Sequence, residues 1–337
     1  MKKIYIPIIM AVTMFFFGHS VMAEPVTLKF AVVDPAQSPP VEKGYKPWAR
    51  MIEEAAEGTL KIEVYPGGTL GRDSRVQLKL VTDGVADMAY IIPAATQGRF
   101  PEDEVFSLPT IAENGLEAAL ASQRMLEKGI LTGYEDVVCL AHYTTGMFHL
   151  HTTFPVRVPA DLKGRRIRSA NDFQADLLHR LGAIGVAVQY VKAAENLSRG
   201  VIEGTINDDS SVVVFRIVDV AKYHTMVPMG VFGMAVVMNK QKYESLPAKA
   251  REALDANGPK LVEMWHGAIN DQVEAEFNTL PEKDPDQKII KLTEDEMLLW
   301  KEAVQPSIDK WAEKAPGRKE LIEKFKKELE AVRAANK

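Results

Sequence analysis

The chain has 337 residues, 46% hydrophobic and 26% charged, with 41 basic against 46 acidic side chains and a formal net charge of −5. That balance argues against nucleic acid or an anionic membrane surface as a partner, since either is held by an excess of Lys and Arg. The single cysteine, Cys139, excludes an internal disulfide framework.

Lys2 and Lys3 precede an apolar run from Ile4 to Phe17, and Val21-Met22-Ala23 sets small residues where a signal peptidase reads. The run is shorter than the roughly 20 residues of a spanning helix. Residues 1–23 are therefore expected to be a signal peptide cleaved after Ala23, with no cysteine nearby for a lipid anchor. No later stretch is long and apolar enough to span, so the exported chain is expected in the periplasm and not embedded in a membrane. Taking 23 from 337 leaves 314 residues, more than one compact core usually holds, which suggests two domains.

LKFAVV (28–33) reads as a strand, followed by a helical pattern over 41–56 that Gly58 stops. KIEVYP (61–66) is a second strand, and Pro66-Gly67-Gly68 a turn. A helix follows over 73–82 with Asp73 in its first turn, then the strand DMAYII (87–92) closed by Pro93. This alternation implies a parallel sheet with covered faces.

A second alternating series begins near VVCLAHYTT (137–145), where Cys139 reads as a small buried hydrophobe. RIRSA (166–170), VAVQY (186–190) and GTIND (204–208) read as strands, with helices over 173–181 and 193–200. GVFGMAVVMNK (230–240) is a long apolar strand. From Pro247 a helix of several turns is expected, since Ala250, Leu254, Leu261 and Trp265 recur at roughly helical spacing. Two amphipathic helices between 293 and 334, parted at 315–317, close the chain; their charged faces read as solvated surface.

The expected fold class is thus α/β, with two similar lobes in succession. Lobe I takes 24–146 and about 231–275; lobe II takes 147–230 and about 276–337. Long elements near 137–145 and 230–240 pass between them. A hinged binding protein and an ordinary two-domain enzyme both fit this plan.

Several segments, in order and correctly spaced, narrow the choice: KIEVYPGGTLG (61–71), LKLVTDGVADMAY (78–90), FPEDEVFSLP (100–109), DLKGRRIR (161–168), ENLSRGVIEGTIN (195–207) and MNKQKYESLP (238–247). Together they resemble the periplasmic solute-binding proteins of tripartite ATP-independent periplasmic (TRAP) transporters, the C4-dicarboxylate-binding family, over about 28–265. The resemblance implies two α/β lobes, crossing strands and a long helix spanning both. It also implies a receptor that binds a small organic acid in an interlobe cleft and delivers it to TRAP membrane subunits, with no catalysis and no cofactor.

In that family the arginine ending the DLKG motif pairs with the ligand carboxylate, which here is Arg168. Chemistry agrees, because open α/β sheets bind ligands beyond the carboxyl ends of their strands. A guanidinium also holds a carboxylate through two parallel hydrogen bonds and stays charged in a dry cleft. Arg165 and Arg166, nearer the strand's start, read as surface charges. Asn207 matches the Asn of the family's Gly–x–x–Asn segment and can donate to the same carboxylate.

Some members carry a second arginine about twenty residues earlier, where this chain has Phe148. Polar-ligand members place Asn or Glu at the ends of the first and third strands; here stand Val33 and Ile92. Tyr190 is a further candidate wall residue. One arginine in an apolar lining favours a monocarboxylate with an apolar or aromatic body over a dicarboxylate or sugar acid. His149 and His151 share a strand face but lack Cys, Asp or Glu at ligand spacing, so a hydrogen bond to the ligand or the other lobe is expected rather than a metal.

An enzyme finds no HExxH, G-x-S-x-G, phosphate loop or dinucleotide fingerprint, and GGTLG (67–71) reads as a turn. A signalling receptor would share fold and pocket. A binding protein of an ATP-driven transporter fits the DLKG and long-helix segments less well.

Overall fold

The computed structural model describes residues 24–96 and 98–335; the expected signal peptide, 1–23, lies outside them. Among these residues are eleven strands: β1 (Val26–Ala31), β2 (Leu60–Tyr65), β3 (Met88–Ile91), β4 (Val137–Thr144), β5 (Phe148–Thr152), β6 (Arg166–Ser169), β7 (Ile184–Ala187), β8 (Gly204–Asp208), β9 (Tyr223–Thr225), β10 (Gly233–Asn239) and β11 (Lys288–Ile290). They form two sheets, ordered β2-β1-β3-β10-β4 and β11-β9-β5-β8-β6-β7.

In the first sheet β1 pairs in parallel with β2 and β3, and β10 runs antiparallel between β3 and β4. The parallel strands need crossovers. α1 (Lys46–Ala55) supplies the first and buries Trp48, Ala49 and Ile52. α2 (Gln77–Thr82) supplies the second, preceded by a 3₁₀ turn that the Asp73 carboxylate caps at Arg75 N. α3 (Gly115–Glu127) packs on β4. In the second sheet β6 pairs in parallel with β7 and β8, with α4 (Asp172–Arg180) and α5 (Ala193–Ser198) as crossovers. α6 (Asp209–Val214) follows β8 directly.

The sheets are joined where β4 runs into β5 and where β9 leads to β10. These crossings are hydrogen-bonded to each other: Thr145 N donates to Phe232 O at 2.9 Å, Phe148 N to Gly230 O at 2.9 Å, and Met229 N to Phe148 O at 2.8 Å. Gly230 sits at φ +85°, and a Cβ there would lie 2.6 Å from the Ser107 backbone. Only glycine adopts that conformation freely and leaves room for the neighbouring chain.

The helix expected from Pro247 is interrupted. α7 (Lys240–Glu244) and α8 (Ala248–Asn257) come first, and α8 ends at Gly258-Pro259. Pro259 has no N–H to continue the ladder. α9 (Leu261–Met264), a π-helical segment Trp265–Asn270, α10 (Asp271–Asn278) and α11 (Leu280–Lys283) then carry the chain across to the second sheet. β1 begins and ends two residues earlier than expected, leaving Val33 in the loop beyond it. β7 stops at Ala187, so Tyr190 opens a single 3₁₀ turn instead of ending a strand.

α12 (Glu294–Glu313) packs on α4, whereas α13 (Arg318–Ala335) lies on α3. Arg333 reaches Glu117 at 2.8 Å, and buried Glu328 takes Arg124 at 2.9 Å and also Lys128. The last helix thus sits on the lobe of the first sheet, although 276–337 was expected as one piece with the second. The Cys139 thiol is partly buried against the core, and burial pushes its pKa up, away from reactivity.

Candidate functional site: the cleft between the sheets

β6 sorts its arginines by position. Arg165 and Arg166 reach the surface and pair with Glu203 at 3.0 and 3.5 Å. Ile167 points into the core, and Arg168, one residue before the strand's end, is only 4% exposed. Its Nε donates to Val188 O at 2.7 Å, and its Nη1 to Ile206 O and Asn207 Oδ1, both at 3.3 Å. No acidic side chain pairs with it among the described residues. Burial lowers its pKa to about 10, which still leaves it cationic at neutral pH.

Asn207, on neighbouring β8, is 3% exposed. Its Oδ1 is fully used, accepting from Arg168 and from Thr205 Oγ1. That fixes the amide so that Nδ2 remains a donor. The next residue, Asp208, is not available to the guanidinium as a partner. Its carboxylate caps α6, accepting from Ser211 N at 2.8 Å and Ser211 Oγ at 2.6 Å.

The histidines stand behind this pair. His151 Nε2 donates to Asn207 O at 3.0 Å, its Nδ1 meets His224 Nδ1 at 2.9 Å, and His149 Nδ1 meets Asp209 Oδ1 at 3.0 Å. Both His151 and His224 are fully buried, and burial lowers both pKa values, that of His151 to about 3. His151 thus braces the backbone of Asn207, with both ring nitrogens engaged inside its own lobe. Among the described residues no group of three or more His, Cys, Asp or Glu converges as a metal site.

The first lobe carries a buried aromatic cluster. Tyr45 and Tyr143 share a hydrogen bond at 2.9 Å. Tyr45 packs against Tyr90 and Trp265 with ring centroids 5.7 and 5.5 Å apart, and Tyr143 against Trp265 at 5.1 Å. Val33 and Ile92 are partly buried against the larger apolar core to which these rings belong. Asp34, three residues beyond the end of β1, is 8% exposed, and its Oδ2 has no hydrogen-bond partner. Burial raises its pKa to about 7. Its charge acts on Tyr45, Tyr90 and Tyr143 of its own lobe and on Tyr190 of the other.

Tyr190 closes the circle. It stands edge-on to Phe215 at 5.1 Å and lies within the fields of Asp34, Arg168 and Asp208 together. The structure therefore joins Arg168 to Asn207 on the second lobe, with Tyr190 in electrostatic range of the guanidinium, and leaves Val33 and Ile92 partly buried against the core of the first lobe. Phe148 is instead packed into the interlobe crossing, 4.8 Å from Phe232 and 4% exposed. Sequence reasoning stopped one residue short of Asp34. An acid placed directly after the apolar run of the first strand, at its carboxyl end, was the available signal. The arrangement offers a buried guanidinium with no acidic partner among the described residues and, beside it, an amide donor.

Comparison with known proteins gives one consistent result. The model of "Bacterial extracellular solute-binding protein, family 7" matches residues 30–315. The C4-dicarboxylate-binding periplasmic protein DctP of Rhodobacter capsulatus is 27% identical over 301 residues, covering 87% of this chain and 88% of that protein. A marine-metagenome TRAP solute-binding protein specific for aromatic acid ligands, solved with 3-hydroxybenzoate, is 25% identical with a TM-score of 0.85, covering 92% of this chain and 99% of that one. A TRAP solute-binding protein of Rhodoferax ferrireducens, solved with copurified benzoate, has the same fold at 24% identity and a TM-score of 0.85, covering 93% of this chain and 100% of that one.

Proposed function

The chain belongs to family 7 of the bacterial extracellular solute-binding proteins, and from that premise we propose that its ligand is a monocarboxylate with an apolar, preferably aromatic, body. Proteins of this family are receptors, not enzymes: they bind small organic acids outside the cytoplasm and work with TRAP membrane subunits. No helix among the described residues is long and apolar enough to cross a membrane.

The observation that carries the ligand reading is the asymmetry of the cleft. One wall holds a buried, unpaired guanidinium beside the Asn207 amide; the other holds Tyr45, Tyr90, Tyr143 and Trp265 around an acid, Asp34. A carboxylate at the first wall receives charge-assisted hydrogen bonds from Arg168. A second carboxylate would find Asp34 where a second cation would be needed, so its charge would be taken out of water without compensation. The aromatic-acid ligands of the similar solved protein support the same reading.

Binding then bridges the lobes. Open and closed arrangements exchange about the paired crossings at 145–148 and 229–232, and the ligand favours the closed one by touching both walls.

A thermal-shift screen of the protein without residues 1–23 tests this, with aryl and alkyl monocarboxylates, 2-oxo acids, dicarboxylates and sugar acids. A ligand at a hundred times its Kd adds about 2.7 kcal/mol, or roughly 5–10 °C at about 2–4 °C per kcal/mol. Shifts confined to apolar or aromatic monocarboxylates are expected. A shift with succinate or a sugar acid alone would refute the ligand class and leave the receptor role intact.

A further inference from the structure

We propose that Asp34 is a second polar anchor of the cleft, receiving a hydroxyl group at the end of the ligand remote from its carboxylate. The inference rests on the receptor reading above and deepens it, because it turns a preference for apolar acids into a preference for one functional group.

Three observations lead there. The first is the state of the Asp34 neighbourhood. Tyr45, Tyr90 and Tyr143 all lie within electrostatic range of this carboxyl, yet none donates to it. Tyr45 and Tyr143 bond to each other at 2.9 Å, and the Tyr90 hydroxyl is turned onto Met234 Sδ at 3.4 Å. Asp34 Oδ2 is left buried with no partner. Buried polar atoms are nearly always hydrogen-bonded, and an exception calls for a reason such as a missing ligand group.

The second is position. Asp34 follows the carboxyl end of β1, as Arg168 ends β6 on the other sheet. Tyr190 lies within electrostatic range of both residues, so each lobe brings one chargeable group toward the same phenol. A ligand long enough to touch both has its carboxylate at Arg168 and its far end at Asp34.

The third is chemistry. A hydroxyl carries one donor and two acceptor sites, so it satisfies Asp34 whether that acid is ionised or protonated. An ammonium suits the ionised form alone. A methyl ether offers no donor, and a bare hydrocarbon leaves Oδ2 unsatisfied. A site built to bond a hydroxyl rejects the analogue that lacks it far more strongly than an apolar pocket rejects a missing methylene.

The test is titration calorimetry on matched acids. The pairs are benzoate with 3- and 4-hydroxybenzoate, phenylacetate with 3- and 4-hydroxyphenylacetate, and hexanoate with 6-hydroxyhexanoate; the methyl ethers and 4-(aminomethyl)benzoate complete the set. In the wild-type protein at least one hydroxylated acid is expected to bind tenfold or more tighter than its parent, its ether and the amine. In Asp34→Ala that advantage should fall to threefold or less; Asp34→Leu, close in size and without a polar atom, serves as the second variant should the cavity disturb folding. Equal affinity within every pair that binds would overturn the inference while leaving the receptor reading in place. So would a hydroxyl preference that survives in Asp34→Ala, or tighter binding of the amine. Binding by the aliphatic pair alone would refute the aromatic body and still judge Asp34. No binding by any acid would overturn both.

Discussion

Replacing Asp34 by asparagine should stabilise the ligand-free protein, and the gain should depend on pH in one direction. Asp34 is 8% exposed and its pKa rises from 3.8 to about 7 because burial opposes its charge. Between those values the folded state holds a proton that the unfolded state has released. Its contribution is therefore fully present below about pH 4, falls as pH rises towards 7, and is gone above it. About three pKa units at 1.36 kcal/mol each set an upper limit near 4 kcal/mol at pH 8. The asparagine has no charge to desolvate, though its amide is itself short of partners, so about 2–4 kcal/mol is expected. That corresponds to roughly 5–10 °C in Tm at about 2–4 °C per kcal/mol. The assay is thermal unfolding of both proteins at pH 5 and pH 8. Taking the difference between proteins cancels Asp208, whose pKa is raised to about 6 by burial, and the buried histidines. A gap that is the same at both pH values, or an asparagine variant less stable at pH 8, would refute the reasoning.

Arg168→Met should weaken every bound acid at least a hundredfold, from about 3–5 kcal/mol of lost charge-paired contact, and Arg168→Lys should also lose most affinity because the planar match is gone. Calorimetry reads the loss, and circular dichroism should show an intact fold. Gly230→Ala forces a Cβ to 2.6 Å from the Ser107 backbone at φ +85°. It should cost about 2–4 kcal/mol in denaturant unfolding, as overpacking and backbone strain add; a neutral result would mean that the crossing yields easily. His151→Gln should flatten the acid limb of the stability profile. The folded His151 pKa, about 3, lies below its ordinary value of 6.5, so its stabilising contribution is present above pH 6.5 and lost as pH falls towards 3. An unchanged slope between pH 6.5 and 4 would show that burial of this ring is not what limits acid stability.

Most of the sheet framework was legible because its strands are apolar runs bounded by Gly, Pro or Asp, as at 60–65, 88–91 and 204–208. Elements whose signal comes from tertiary contact were not. β9 and β11 have three residues each and exist through pairing: β9 lies against β5, and β11 adds to β9 as the edge strand. α6 is six residues beginning with Asp-Ser-Ser, and the Asp208 cap holds it rather than any periodicity. The broken helix after Asn257 was misread because the apolar spacing continues across Gly258-Pro259, while Pro259 has no N–H to carry the helical ladder across. Arg168 and Asn207 were singled out through their motif, and the fold brings them into contact at 3.3 Å. Asp34 was hidden by its setting. An acid after an apolar strand looks like a turn residue, and only the fold shows that no partner reaches its Oδ2.

On the reading proposed above, Arg168 and Asp34 together give the cleft its discrimination. Each is a chargeable group held out of water without an opposite charge, one on each lobe. The guanidinium pKa is lowered to about 10 and the carboxyl raised to about 7 by the same cause, burial. Either residue alone destabilises the ligand-free protein, and no ion pair between them among the described residues offsets the two penalties, although both act on Tyr190. A ligand relieves both only if it brings an anion to one end and a hydroxyl to the other. An acid lacking the hydroxyl relieves Arg168 alone and leaves Asp34 Oδ2 buried and unsatisfied in the closed form. The differential between the two ligands is then largest in the closed arrangement, which is the one that bridges the lobes, so selectivity and closure draw on the same two side chains. Kinetics should carry the mark of this: hydroxylated and parent acids should associate with the open form at similar rates and differ mainly in dissociation. Stopped-flow fluorescence, following the indole of Trp265 packed on Tyr45 and Tyr143, separates the two rates. A preference that resided in association instead would place the discrimination before closure and break the link between Asp34 and the closed state.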